Sequence, residues 1–241
     1  MEYKLEVIGF DIGSCLLAQS AGAHRIELCD NPADGGTTPS YGLIKTAREY
    51  LHIELYPIIR PRGGDFLYTE EEFAVMKADV LMCREMKCDG VVIGLLNTNG
   101  TINTERTRQL IDLAQPMKVT FHRAFDRTND PIKALEDVIS CGCERILTSG
   151  LEPTAMEGID TIAALVKAAK GRIIIMPGSG VRSANIETIA KITGANEFHT
   201  SARVNMETRM QYNNPGMKES PSSVSVDTTE ITTIIANLKN T

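Results

Sequence analysis

Residues 23–29 read Ala23-His24-Arg25-Ile26-Glu27-Leu28-Cys29, and a similar pattern occurs three more times in the chain. In each copy a small residue and at least one polar residue precede a short run that is rich in apolar residues. The other copies are Cys88-Asp89-Gly90-Val91-Val92-Ile93-Gly94, Cys143-Glu144-Arg145-Ile146-Leu147-Thr148-Ser149 and Ala195-Asn196-Glu197-Phe198-His199-Thr200-Ser201. The copies begin at residues 23, 88, 143 and 195, so each period is long enough for two βα units. Four copies therefore predict eight strands, the number that a (β/α)8 barrel requires.

The remaining four strands are predicted from apolar runs between the repeats, at residues 5–8, 53–60, 118–123 and 172–176. Such runs are typical of parallel strands that are covered on both faces. Helix signals alternate with them: Thr69 and Glu72 form a capping box, Asp130-Pro131 opens a helix, and Ser183 is expected to begin another. The fold class is therefore α/β, a single TIM barrel, and 241 residues suit that fold.

The last part of the chain departs from this pattern. Residues 205–226 are rich in Ser, Asn, Thr and Met and show no period, so we expect a long inserted loop after strand eight. Asp227 then caps a last helix that ends near residue 238. The domain prediction is one barrel over residues 1–241, with a loop at 205–226 and a last helix at 227–238.

Composition bounds the class of protein. Hydrophobic residues make up 42% and charged residues 23%, as in ordinary globular proteins. No apolar run approaches the roughly 20 residues of a membrane span, and no secretory leader is recognisable, so we expect a cytoplasmic protein without a membrane partner. Its six cysteines are then expected to be free thiols. The net charge of −6 argues against a nucleic-acid partner.

Strand alternation predicts which side chains face the barrel axis. In the repeats the polar set should face inward and form three layers of four. The layers are Arg25, Gly90, Arg145 and Glu197; Glu27, Val92, Leu147 and His199; and Cys29, Gly94, Ser149 and Ser201. Arg25 and Arg145 are either a structural ion network with Glu197 and Glu27 or part of a site. Glu27 and His199 lie nearer the C-terminal rim, where active sites form, and are candidate catalytic residues.

Cationic residues follow strands three and five. The first loop contains Arg60, Arg62 and Asp65, and the second contains His122, Arg123 and Asp126. Guanidinium groups bind carboxylate or phosphate, so a small anionic substrate is one prediction. The alternative is that some of these arginines pair with Asp65 and Asp126. We expect His122 to point inward.

The loops after strands six to eight offer further anion contacts. Gly178, Ser179 and Gly180 follow strand seven, Ser201 ends strand eight, and Ser149 ends strand six. Loops seven and eight form the common phosphate site of this fold, although tight turns explain the same residues. Cys29 lies at the predicted rim and is the candidate metal ligand, suited as thiolate to a soft ion such as Cu(I).

Several longer motifs resemble the CutC family. They are Arg25-Ile26-Glu27-Leu28-Cys29, Gly35-Gly36-Thr37-Thr38-Pro39-Ser40, Ile59-Arg60-Pro61-Arg62-Gly63-Gly64-Asp65-Phe66, Thr120-Phe121-His122-Arg123-Ala124-Phe125-Asp126, Leu147-Thr148-Ser149-Gly150 and Glu197-Phe198-His199. The resemblance implies a cytosolic TIM barrel, usually oligomeric, that binds copper in copper homeostasis, with cysteine as the associated ligand. Cys29 is the cysteine within these motifs. Ser179 departs from the family's Pro-Gly-Gly-Gly pattern.

Three functional hypotheses remain open from the sequence. The first is a copper-binding protein in copper homeostasis, with Cys29 as a ligand and a homo-oligomeric assembly. The second is an enzyme for a small carboxylate or phosphate substrate. In that hypothesis Glu27 and His122 or His199 perform acid–base chemistry, and Arg60, Arg62 and Arg123 bind the anion. The third is a barrel scaffold whose site has lost its activity.

Overall fold

The computed structural model describes residues 3–218 and 220–241. Within those ranges eight parallel strands form two four-stranded sheets, with the orders β3-β2-β1-β8 and β4-β5-β6-β7. The strands are β1 (Lys4–Gly9), β2 (Arg25–Leu28), β3 (Glu54–Pro57), β4 (Gly90–Ile93), β5 (Lys118–Phe121), β6 (Arg145–Thr148), β7 (Ile174–Pro177) and β8 (Glu197–Thr200). A parallel bridge from Ile58 to Val92 joins the sheets beside β3 and β4, and β7 contacts β8. The predicted TIM barrel is confirmed.

Helices alternate with the strands and cover the outside of the barrel. They are α1 (Ile12–Ser20), α2 (Tyr41–Tyr50), α3 (Glu70–Glu85), α4 (Thr104–Ala114), α5 (Pro131–Cys141), α6 (Ile159–Ala169), α7 (Ile186–Thr193) and α8 (Thr228–Lys239). Thr69 and Glu72 form the expected capping box at α3, and the Asp130 carboxylate accepts two backbone N–H bonds at α5. Local polar side chains thus fix where these helices begin.

Helix α7 begins later than its sequence predicts. Its N-cap is Asn185, not Ser183. The Ser183 backbone N–H and hydroxyl both donate to the Glu230 carboxylate, each at 2.8 Å, across the contact between α7 and α8. Ser183 therefore joins the last helix to the barrel, because a tertiary partner takes its hydrogen bonds.

The segment 205–226, expected to be a loop, contains strand residues at both ends. An antiparallel pair forms between β9 (Arg203–Met206) and β10 (Ser223–Val226). Val204, Val224 and Val226 supply the β-branched residues that favour strands, although each run is too short to stand out in the sequence. Asp227 caps α8 as expected, so the hairpin leads directly into the last helix.

The core lies mainly between the strands and the surrounding helices. A separate, small apolar cluster lies inside the barrel and consists of Ile8, Cys29, Tyr56, Ile58 and Val92. Polar side chains fill much of the remaining interior, and these position the candidate site. Among the described residues, no helix has the length and apolarity that a membrane crossing requires.

Candidate functional site

Charged side chains from four strands, β1, β2, β6 and β8, form an ion network inside the barrel. Glu197 accepts from both arginines of the first predicted layer, at 2.5 Å from Arg25 Nη2 and 2.6 Å from Arg145 Nε. Arg25 Nε also donates to Glu6 Oε2 at 2.5 Å. The Tyr56 ring lies beneath both guanidinium groups, 5.1 and 5.7 Å from its centroid. Buried charges require such partners, and both arginines have theirs inside the barrel.

One layer nearer the C-terminal rim, Glu27 and His199 meet Glu6. The His199 ring bonds through Nδ1 to Glu6 Oε1 at 2.7 Å, and its Nε2 faces Glu27 Oε2 at 3.8 Å. One ligand atom from each of these three residues lies within 4.8 Å of the others. All three side chains are buried. We call them the Glu6–Glu27–His199 group.

The surroundings of Glu27 and Glu6 shift the pKa values of these two carboxyl groups in opposite directions. Burial raises the pKa of Glu27 to about 7, with the nearby Glu6 charge adding to the rise. Burial would also raise the pKa of Glu6, but Arg25 and the His199 hydrogen bond outweigh it and lower that pKa to about 2. For His199, burial lowers the pKa, whereas Glu6 and Glu27 raise it to a net increase. Glu6 therefore carries the fixed negative charge of the group.

A cavity of about 340 Å³ opens above this group at the C-terminal rim. Its wall combines acidic, cationic and apolar side chains. The lining residues are Ile8, Glu27, Gly35, Ile58, Arg60, Phe66, His122, Arg123, Leu147, Ser179, Gly180, His199, Ser201 and Arg203. The barrel thus brings eight of the predicted site residues to one cavity, namely Glu27, His199, His122, Arg60, Arg123, Ser179, Gly180 and Ser201.

His122 points inward, as its sequence position suggested, and its tautomer is defined. The Ala124 backbone N–H donates to His122 Nδ1 at 3.0 Å, so Nδ1 is the acceptor and Nε2 carries the proton. Burial lowers the pKa of His122 to about 3, and the Arg60 charge contributes to the decrease. The ring is therefore neutral at physiological pH. Its Nε2 is buried without a hydrogen-bond partner among the described residues.

Arg60 is buried and binds backbone carbonyls. Its Nη1 donates to the carbonyls of Asp34 and Gly36, at 2.7 and 2.8 Å, and its Nη2 donates to Gly64 at 2.9 Å. Within the described part of the chain, no carboxylate pairs with Arg60. The guanidinium thus holds two loops together and keeps its positive charge beside the cavity.

Arg123 reaches the cavity from a short 3-10 helix after β5. Its Nε donates to Asp126 at 2.8 Å, and its Nη2 donates to the Ser149 hydroxyl at 2.8 Å. Asp126 also accepts from the backbone N–H groups of Ser149 and Leu151. The alternative foreseen from the sequence therefore holds here, because Asp126 pairs with Arg123 and anchors the loop after β6.

Other predicted contact residues lie away from this cavity. Arg25 is fully paired in the ion network, and Arg62 pairs with Asp65 and Glu72 at 2.9 and 2.5 Å. Asp65 and Asp126 line a neighbouring, wider cavity of about 810 Å³ that shares Arg60 and Arg123 with the first. Ser149 and Gly178 are packed beneath the rim, where Gly178 lies against Leu147 and His199. Arg25, Arg62, Ser149 and Gly178 thus lie outside the lining of both cavities, whereas Asp65 and Asp126 line the wider one.

The loop after β7 contributes a strained turn to the rim. Ser179 has a φ of 74°, in the left-handed region where glycine is favoured, and its hydroxyl donates to the Pro153 carbonyl at 2.7 Å. The serine thus keeps the glycine-like backbone while its side chain fixes the loop after β6.

Cys29 follows β2 and is fully buried in the apolar cluster inside the barrel. Burial raises the pKa of its thiol well above the usual range, and the charges of Glu27 and Glu6 add to this. The thiolate that a soft metal ion binds is therefore disfavoured in the free protein. Cys29 is not a member of the metal-capable group formed by the described residues, and its role as a ligand stays a prediction.

The sequence reasoning missed two residues of the site, Glu6 and Arg203. Glu6 is a charged residue within the apolar run Leu5-Glu6-Val7-Ile8, and that interruption is a usable signal for an inward position. Arg203 lines the cavity from β9, stacked 5.1 Å from the Phe10 ring centroid. Its position depends on the hairpin, which the sequence did not indicate.

Fold and site together define a TIM barrel with a buried carboxylate–imidazole group below a cationic cavity. The CutC family profile matches residues 3–204. A family protein CutC from Chromobacterium violaceum is 50% identical over 224 residues, which are 93% of this chain and 91% of the relative. One from Parabacteroides distasonis is 51% identical over 93% of each chain. This chain belongs to the CutC family.

Solved structures agree with this assignment. The crystal structure assigned to copper homeostasis protein CutC from Streptococcus agalactiae superposes with a TM-score of 0.79 and 38% identity, over 83% of this chain and 98% of that one. Phosphoribosylanthranilate isomerase from Thermotoga maritima gives a TM-score of 0.61 at 12% identity, over 99% of this chain and 100% of that one. The second likeness concerns the fold alone.

Proposed function

We propose that this chain takes part in copper homeostasis by binding copper inside the barrel. Membership of the CutC family supports the proposal, as does the copper homeostasis assignment of the Streptococcus agalactiae relative. The single observation that carries it is the Glu6–Glu27–His199 group, whose ligand atoms lie within 4.8 Å of one another.

The donors of this group fit an ion that accepts nitrogen and oxygen. His199 Nε2 and Glu27 Oε2 face one another and would hold the ion directly. Glu6 bonds to His199 Nδ1, which is the usual way a carboxylate orients a metal-binding imidazole. Imidazole and carboxylate suit Cu(II), whereas Cu(I) prefers thiolate. We therefore assign Cu(II) to this group and keep Cys29 as the candidate ligand for Cu(I).

Isothermal titration calorimetry tests this assignment with wild-type protein and four variants. Because His199→Gln and Glu27→Gln each remove a ligand, both should weaken Cu(II) binding by more than about tenfold. His52→Gln is the matched control, since His52 is an exposed histidine outside the barrel interior. Cys29→Ser should affect only Cu(I) binding, measured under reducing conditions. Unchanged Cu(II) affinity in His199→Gln would reject the proposal.

A second candidate function is an enzyme for a small carboxylate or phosphate substrate. The observation that favours it is the buried Arg60 charge beside the cavity, without a carboxylate partner in the described residues. Arg123 and Arg203 add positive charge to the same cavity, and Ser179, Gly180 and Ser201 add polar rim atoms. Glu27, His122 and His199 are the candidate acid–base residues, because each lines the cavity.

Thermal denaturation with inorganic phosphate tests this second candidate. At ten times its dissociation constant, phosphate should raise the melting temperature by roughly 3–6 °C, because only the folded state binds it. Arg60→Ala should abolish the rise, and Arg203→Gln should reduce it without removing the loop contacts of Arg60. Arg172→Gln, at an exposed pair with Glu136, is the control and should keep the full rise. An unchanged melting temperature in wild-type protein would reject the anion site.

The proposal also covers the location, the oligomeric state and the partners of the protein. We propose a cytoplasmic homo-oligomer, in line with what the family resemblance implies, with a small anion or copper as its ligand and neither nucleic acid nor membrane as a partner. The net charge of −6 supports the absence of a nucleic-acid role.

A further inference from the structure

His122 is held in one orientation by its surroundings. It caps the 3-10 helix Arg123–Arg127, and this hydrogen bond leaves Nε2 as the free donor. A Cβ atom at Gly94 would lie only 2.3 Å from His122 Cε1, so glycine is required there to make room for the ring. The Phe66 ring covers His122 with a centroid separation of 5.0 Å. The imidazole therefore has little freedom to turn its Nε2 toward another protein group.

The unpartnered Nε2–H has a specific chemical consequence. A buried donor without a partner costs free energy, and residues at functional sites commonly retain such groups for a ligand. His122 lines the cavity together with the Arg60 and Arg123 guanidinium groups. A neutral N–H donor has less attraction for the charged end of a ligand than either guanidinium. It suits an uncharged acceptor oxygen on the same molecule.

The geometry points to a ligand with two parts, an anionic group at the arginines and an uncharged carbonyl oxygen that accepts from His122 Nε2–H. We propose that the cavity binds small carbonyl-containing anions, with the arginines holding the anionic group and His122 holding the carbonyl oxygen. The inference rests on the second candidate function, since it presupposes anion binding at Arg60. It assigns His122 as the residue that selects the carbonyl.

Matched ligand pairs test the inference. Acetonyl phosphate and propyl phosphate differ by a carbonyl in place of a methylene, and pyruvate and propionate differ in the same way for the carboxylate case. Dissociation constants are measured by calorimetry in metal-free buffer. Wild-type protein should prefer the carbonyl member of one pair by roughly three- to tenfold, as expected for one neutral hydrogen bond. The pair that shows the preference identifies the anionic group.

His122→Phe should remove that preference, because phenylalanine lacks the Nε2 donor. It also lacks the Nδ1 acceptor of the Ala124 N–H, so the readout is the ratio of the two dissociation constants within a pair and not the affinity for either member. His122→Gln supplies an amide donor and should restore part of the preference, which also guards against a folding defect in the first variant. A preference that persists in His122→Phe, or none in wild-type protein, overturns the His122 assignment while anion binding stands. If wild-type protein binds none of the four probes, the anion site is overturned as well.

Nitrogen NMR of the wild-type protein gives an independent readout. The His122 ring should show a protonated Nε2 and an unprotonated Nδ1, with no titration between about pH 5 and pH 8. The carbonyl probe should shift the Nε2–H resonance more than its alkyl partner does. A ring that titrates in this range, or equal shifts with both probes, contradicts the proposal.

Discussion

At the scale of single residues, two buried arginines share one carboxylate. Glu197 accepts from Arg25 and Arg145, and its pKa is held below its usual range because these bonds outweigh the opposing effect of burial. Removing one partner of a buried ion pair is far more destabilising than the net value of the pair, because an uncompensated charge remains. The stability of the protein should therefore depend strongly on Glu197 in the barrel interior and only weakly on ion pairs at the surface.

Glu197→Gln should lower the free energy of unfolding by about 3 kcal/mol, because two guanidinium groups lose their shared negative charge. Chemical denaturation near neutral pH measures this change. Glu136→Gln is the matched control, since it removes one carboxylate from a two-bond pair with Arg172 at the surface, and it should have little effect. Equal losses in the free energy of unfolding would show that the buried carboxylate contributes no more to stability than the surface one.

At the scale of secondary structure, short local signals fix the ends of the long outer helices. In α3 the Glu72 backbone N–H donates to the Thr69 hydroxyl at 3.2 Å, and the Thr69 N–H donates to the Glu72 carboxylate at 2.9 Å. Glu72 also accepts from Arg62 at 2.5 Å, so the same side chain ties the loop after β3 to the helix. This helix start therefore supports the loop that carries Arg60.

Thr69→Ala should lower the free energy of unfolding by about 1 kcal/mol, because the first turn of α3 loses its side-chain cap. The change is measured as a shift in the midpoint of urea denaturation, with the slope of the transition unchanged. Thr232→Ala serves as the control: Thr232 is exposed in the interior of α8, where alanine is the better helix former, so stability should stay the same or rise slightly. A loss of stability in the control as large as that in Thr69→Ala would contradict the capping argument.

At the scale of the whole molecule, the paired charges and the cavity-lining polar residues lie at different heights along the barrel axis. Ionic residues at the N-terminal ends of β2, β6 and β8 are paired in the network, whereas polar residues further along the strands line the cavity. The hairpin β9–β10 brings Arg203 to the rim and leads into α8, which bonds back to Ser183 through Glu230. The segment after β8 therefore belongs to the wall of the candidate site.

The sequence by itself determined the eight-strand barrel, the helix caps at Thr69, Asp130 and Asp227, and the inward positions of Glu27 and His199. These features follow from periodicity and from neighbours a few residues apart, which a single chain displays directly. The tertiary structure alone decided that Arg25 pairs with Glu6 and Glu197, that Asp126 pairs with Arg123, and that Glu6 completes the group with His199.

Those decisions depend on contacts between distant parts of the chain. Glu6 and His199 are 193 residues apart, and Arg25 and Glu197 are 172 apart, so their pairing becomes visible only when β1 lies between β2 and β8. The same closure buries Cys29 and leaves His122 Nε2 without a partner in the described residues. Local sequence sets which face of a strand a side chain occupies, but the packing of neighbouring strands sets what it meets there.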